Sequence, residues 1–137
     1  MFSIGQMSKR TGVKIPTIRY YEGIGLLSPP DRNAGNQRRY TAEGLERLSF
    51  IRHARDLGLS LDAIRDLLAL GADPDAPCAD IHAITRAHLA DVKARIAKLK
   101  RLEKELKRIE VNCHADEVGD CYVIESLADH GLCEGEH

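Results

Sequence analysis

Tryptophan is absent from this chain, and the other aromatics are two Phe and four Tyr, so any core it builds is aliphatic. No apolar run approaches the ~20 residues needed to cross a bilayer, and no signal peptide opens the sequence. No membrane-spanning helix is therefore expected, and a cytoplasmic location is the default expectation. In that reducing compartment the four cysteines read as free thiols or metal ligands rather than as a disulfide framework. At 137 residues there is room for one modest domain and an appendage, not for two sizeable cores. No nucleophile–base motif and no cleft-forming sheet pattern is present, which points away from an enzyme.

Two local absences say more. From Cys78 to Asn112 there is neither Gly nor Pro, and after Asn112 there is neither Lys nor Arg. The net charge of −1 therefore hides a partition: +5 over residues 1–58, −3 over 59–77, +4 over 78–112 and −7 over 113–137. A basic N-terminal segment suits a polyanion, and an acidic, Cys/His-bearing end suits a cation.

In chain order, Ser3 with Gln6 three residues on reads as a capping box, and Gly12 ends the helix that follows. Pro16 suits the first turn of a second helix, which runs to Glu22 and ends near Gly23 or Gly25. Two short helices joined at Gly12-Val13 outline a helix-turn-helix. Two extended segments then flank Asn33-Ala34-Gly35-Asn36, predicting a β-hairpin wing that carries Arg32, Arg38 and Arg39. Thr41 caps a third helix reaching Gly58, with Glu43 in its first turn, and Ser60 caps a fourth that closes at Gly71. Asp73-Pro74-Asp75-Ala76-Pro77 breaks the chain.

The uninterrupted stretch from Cys78 to Asn112 is predicted to be one helix. Thr85, Val92, Leu99 and Leu106 recur every seven residues, and Leu89 and Ile96 fill the alternate spacing, a coiled-coil seam that calls for a second copy of the chain. Glu103 breaks the seam where an apolar residue is due. Counting back from Thr85 places Cys78 on the seam. Such a helix holds its ends about 50 Å apart, so Cys78 cannot meet Cys113 within one straight helix. An antiparallel homodimer would bring the partner's Cys78 beside Cys113 and Cys121. Tyr122 to Ala128 reads as a two-turn helix, and Asp129 to His137 as a polar tail.

The runs Ile4-Gly5-x-x-Ser8-Lys9-Arg10-Thr11-Gly12-Val13, Thr17-Ile18-Arg19-Tyr20-Tyr21-Glu22-x-x-Gly25-Leu26-Leu27, Pro29-Pro30-x-Arg32, Arg38-Arg39-Tyr40 and Ile51-Arg52-x-Ala54-Arg55-x-Leu57-Gly58 resemble the MerR family of transcriptional regulators, and the resemblance extends to about Leu127. It implies a mainly α chain: a winged helix-turn-helix DNA-binding domain over residues 1–75, an antiparallel coiled-coil dimerisation helix over 78–112, and a metal-binding loop, short helix and acidic tail over 113–137. It also implies a homodimer on double-stranded promoter DNA. Effector binding would distort an overlong promoter spacer so that RNA polymerase engages both elements, controlling efflux or resistance genes. On that basis Thr17, Arg19 and Tyr20 are expected in the major groove. Lys14, Arg32, Arg38, Arg39, Tyr40 and Arg55 are expected mainly at phosphates. Tyr21 is expected in the core, facing the third helix, and His53 is structural or DNA-facing.

For the effector, a helix N-terminus favours a negatively charged sulfur at Cys78. Cys113 and Cys121, with seven residues between them, can close on one ion. Two sulfurs alone suit a linear monovalent ion such as Cu(I), and a third from the partner's Cys78 suits a divalent one. The resemblance agrees: copper-type sensors of the family carry Ser where Cys78 stands, whereas zinc, cadmium, lead and mercury sensors carry Cys. His114, Asp116 and Glu117 are further candidate ligands, and they place Zn(II) first, followed by Cd(II), Pb(II) and Hg(II). The family's zinc sensors have a longer loop with an extra Cys, a departure that leaves the ion open. His82 lies one turn after Cys78, within reach of the ion or at the seam. His130, Cys133 and His137 offer a looser second set in the tail. The alternatives are a Cu(I)-type sensor and a thiol-based redox sensor of the same family using Cys113 and Cys121. An iron–sulfur sensor would cluster four cysteines in the C-terminal loop, and a small-molecule sensor would need a larger domain after Asn112.

Overall fold

A capping box starts the chain. The Ser3 hydroxyl accepts the Gln6 N–H at 3.2 Å, and the Gln6 side chain accepts the Ser3 N–H at 2.8 Å, launching α1 (Ile4–Thr11). The computed structural model describes residues 1–32, 34–35, 37–114 and 116–129, with the backbone alone for Arg38. The ends of the expected hairpin turn, Asn33 and Asn36, and the tail candidates His130, Cys133 and His137 lie outside the described residues.

The chain divides into two compact units, the first Met1–Ile84 and the second beginning at Thr85. In the first, Gly12 ends α1 with φ +76°, a left-handed conformation that favours glycine. α2 (Ile15–Gly23) follows with Pro in its first turn. β1 (Asp31–Arg32) and β2 (Arg38–Arg39) pair antiparallel, Asp31 opposite Arg39 and Arg32 opposite Arg38. Phe2 and Tyr40 exchange backbone hydrogen bonds of 2.8 and 2.7 Å, which ties the N-terminus to the wing. α3 (Ala42–Asp56) is capped by the Thr41 hydroxyl, and α4 (Leu61–Gly71) by Ser60. Met7, Ile18, Leu26, Leu48, Ile51 and Ile64 are fully enclosed between these elements. Each such aliphatic side chain contributes about 1.5–3 kcal/mol through its removal from water.

α5 (Cys78–Val111) is the expected uninterrupted helix. On it Leu89, Ile96, Leu99 and Leu106 stay 51, 47, 64 and 64% exposed in the single chain. After α5 a short 3-10 turn, Val118–Asp120, which the sequence reading did not anticipate, leads into α6 (Tyr122–Ala128).

Candidate nucleic-acid interface and metal centre

On α2, Ile18 and Tyr21 are buried, 0 and 7% exposed, so Tyr21 lies in the core as expected. Their i, i+3 spacing defines the inner face. Arg19 and Tyr20 stand on the exposed side, Tyr20 at 55%, and Lys14 is exposed at the helix N-cap while Thr17 is half-buried. The Tyr20 and Tyr21 rings are 6.1 Å apart. In the wing, Arg32 is exposed and Arg39 half-buried, with Arg39 Nη2 donating to Gln37 Oε1 at 3.1 Å. Arg55 is exposed, but its Nη1 donates to the Leu59 carbonyl at 2.8 Å, closing the turn between α3 and α4.

Tyr40 departs from expectation. Its ring is 2% exposed and its hydroxyl donates to Glu22 Oε1. A phenol satisfied internally by a carboxylate does not project towards a phosphate; it braces the wing against α2.

Three arginines to which sequence reasoning gave no role tie the first unit together. Arg52 Nη1 donates to Gly12 O at 2.7 Å, Arg47 Nε to Leu26 O at 2.7 Å and Arg65 Nη2 to Ile24 O at 2.9 Å. These donors satisfy carbonyls that follow the ends of α1 and α2. Part of the basic charge is thereby structural, while the side chains of Lys14, Arg19 and Arg32 are exposed.

In the second unit the thiols come together. The Cys113 N–H closes on Glu110 O at 3.1 Å as α5 ends, and the 3-10 turn folds the loop back through Cys121 N–H to Val118 O at 3.1 Å. Cys113 Sγ and Cys121 Sγ stand 3.7 Å apart, both half-buried and free. Cys121 is also the N-cap of α6. The N–H of Ile124 in the first turn of α6, then the Cys113 thiol, then the N–H of Val123 hold the Cys121 thiol below the ordinary cysteine range, outweighing partial burial and the charge of Glu125. These amide contacts are looser than a full capping hydrogen bond, and they still aim N–H dipoles at the sulfur.

His114, Asp116 and Glu117 are exposed in the same loop, and Cys78 is exposed in the first turn of α5. Among the described residues of the single chain, no three His, Cys, Asp or Glu side chains gather into one metal-holding group. The structure therefore brings Cys113 and Cys121 together within the second unit.

At 3.7 Å the two sulfurs are in van der Waals contact, and as a pair of soft donors they would suit a thiophilic ion, with further ligands required to complete its shell.

The sequence matches the family description "MerR HTH family regulatory protein" over residues 2–70 and "MerR, DNA binding" over residues 45–109. It is 41% identical to the HTH-type transcriptional regulator HmrR of Sinorhizobium medicae, over 94% of this chain and 88% of that one. It is 39% identical to Heavy metal-dependent transcription regulator 2 of Rhizobium meliloti, over 93 and 86%. Among solved structures, the transcription regulator PbrR691 of Ralstonia metallidurans in complex with lead(II) superposes with a TM-score of 0.78 at 38% identity, covering 93% of this chain and 99% of that one.

Proposed function

Because this chain belongs to the MerR family of helix-turn-helix regulatory proteins and is not an enzyme, we propose that it is a cytoplasmic, metal-responsive transcription activator. It binds promoter DNA as an antiparallel homodimer and senses a divalent thiophilic ion: Zn(II) first, then Cd(II), Pb(II) or Hg(II). Lys14, Thr17, Arg19, Tyr20, Arg32, Arg38, Arg39 and Arg55 make up the DNA face, with α2 in the major groove and the wing on the backbone. The occupied dimer distorts the promoter so that RNA polymerase engages both of its elements, switching on efflux or resistance genes.

The observation that carries the reading is the Cys113–Cys121 pair at 3.7 Å, two soft sulfurs brought into contact by the loop, and a third sulfur at Cys78 supports a divalent ion over Cu(I). The exposed seam of Leu89, Ile96, Leu99 and Leu106 supports a second copy, because a long amphipathic helix alone leaves that stripe wet. The antiparallel copy supplies the partner's Cys78 as third sulfur, with His114 or Glu117 available to complete the shell. When bound, the ion cross-links the loop to the other subunit. Thiol oxidation is the competing reading, favoured by the same short sulfur–sulfur distance.

The test is a competition titration of the reduced dimer with Zn(II), Cd(II), Pb(II), Hg(II) and Cu(I), repeated with Cys78→Ser. Affinity for the divalent ions falls selectively in the variant. Unchanged affinity for every ion would remove the partner's Cys78 from the site. A chelated, reduced protein that still answers peroxide on promoter DNA would decide for oxidation.

A further inference from the structure

Apart from the thiols, the described residues of the second unit withdraw a charged cluster from water. Arg108, in the last turn of α5, donates from Nη2 to Glu105 Oε2 at 3.0 Å and from Nη1 to the Tyr122 hydroxyl oxygen at 2.5 Å. Its Cζ also stands 5.7 Å from the centre of the Tyr122 ring. The Arg108 and Glu105 side chains are 17 and 7% exposed. Neighbouring Glu105 and the Tyr122 hydroxyl raise the Arg108 pKa against the opposing effect of burial, so the guanidinium is a permanent charge. A charge pair this enclosed is unfavourable unless its donors are used; here Nη1 is used on a residue of α6 and Nη2 on Glu105, while the buried Nε has no hydrogen-bond partner among the described residues.

Tyr122 is the residue directly after Cys121. A flexible chain of the length joining Cys113 to Cys121 would hold its ends about 15 Å apart, yet the two sulfurs are 3.7 Å apart. The 3-10 turn accounts for part of that closure. The Arg108–Tyr122 contact accounts for where the loop returns: it anchors the first residue of α6 to the end of α5, the point from which Cys113 departs.

We propose that Arg108 is the positioning residue of the metal centre. It touches no ion; through Tyr122 it sets Cys121 against Cys113, so that the two sulfurs are paired before an ion arrives, and it links the state of the loop to the dimerisation helix. This inference rests on the reading of Cys113 and Cys121 as metal ligands.

The test reads two quantities on the full-length dimer with Tyr122→Phe, Arg108→Met and Arg108→Lys. The first needs no metal. Equilibration with reduced and oxidised glutathione forms the Cys113–Cys121 disulfide as one oxidised glutathione is reduced to two thiols, and peptide mapping gives the effective concentration of the pair. The second is Cd(II) affinity by competition, followed through the sulfur-to-cadmium charge-transfer band. Tyr122→Phe keeps the ring and the Glu105–Arg108 pair, so helix content by circular dichroism stays at the wild-type level even if Arg108→Met loosens the unit. The expected result is a fall in effective concentration for Tyr122→Phe and Arg108→Met, and about 10–100-fold weaker Cd(II) binding, the usual loss for an outer-shell partner. The double variant is no worse than the weaker single, and Arg108→Lys recovers part of both losses. Wild-type values in Tyr122→Phe and Arg108→Met would overturn the proposal, as would additive losses in the double variant. If the wild type bound no Cd(II) while the effective concentration still fell in the variants, Arg108 would keep its positioning role and the metal reading would fail.

Discussion

The Arg52 guanidinium fills the space into which a Cβ on Gly12 would project: its Nη1 lies 2.9 Å from that position and donates to the Gly12 carbonyl oxygen at 2.7 Å. One residue thus meets two demands, a left-handed backbone and room for an arginine from α3. Both hold α1 and α2 at the angle that exposes Arg19 and Tyr20.

Gly12→Ala is accordingly expected to destabilise the first unit by about 1–3 kcal/mol from backbone strain alone, with a further loss as Arg52 is displaced. Gly5→Ala, inside α1 with its nearest neighbour 3.9 Å away, is expected to stabilise by about 0.5–1 kcal/mol. Urea denaturation of the two variants checks the contrast; equal effects would mean that Gly12 is ordinary.

Tyr40 and Lys14 separate bracing from contact. Tyr40→Phe removes the hydrogen bond to Glu22 and is expected to lower stability by about 1–3 kcal/mol, while the salt dependence of DNA binding keeps its slope. Lys14→Ala leaves stability alone and makes that slope shallower by about 1.8, one phosphate contact being lost from each subunit of the dimer. A shallower slope in Tyr40→Phe would return Tyr40 to the phosphates.

The lowered Cys121 thiol pKa predicts that alkylation of the metal-free protein at Cys121 reaches half its maximal rate at lower pH than a free model thiol. For a group depressed on folding, the stabilisation is present above the unfolded value and is lost as pH falls through the lowered one. Cys113→Ser removes a secondary cause and shifts the profile part-way upward, since the Ile124 N–H remains. A profile for Cys121 identical to the model thiol's would contradict the helix-start geometry.

Leu99 and Leu106, each 64% exposed on α5, are expected to lie between two copies. Leu99→Glu places a charge on that seam and converts the dimer to monomer at micromolar concentration in sedimentation velocity. A dimer that survives Leu99→Glu and Leu106→Glu together would place the interface elsewhere.

The elements that could be read in advance are those whose signals are local. Ser3 with Gln6, Gly12, Thr41 and Ser60 act on neighbours within four residues, and the helices begin and end where these residues direct. α6 is local in the same sense, although the 3-10 turn before it left no pattern. Arg52 reaches Gly12 across 40 positions, Arg65 reaches Ile24 across 41 and Tyr40 reaches Glu22 across 18. No periodicity or cap announces such pairs, and so Tyr40 was expected at the phosphates, Arg47 and Arg65 were passed over, and Arg52 was read only as part of a family motif.

The candidate metal centre divides along the same line. The residue order alone determined that two thiols flank a seven-residue loop after a long helix, because helix periodicity and the lack of Gly and Pro are properties of the chain itself. Their approach to 3.7 Å, the lowered thiol of Cys121 and the hold of Arg108 on Tyr122 were decided by tertiary structure. Sulfur–sulfur distance, dipole direction and the enclosure of a charge exist only once α6 has folded back against the end of α5.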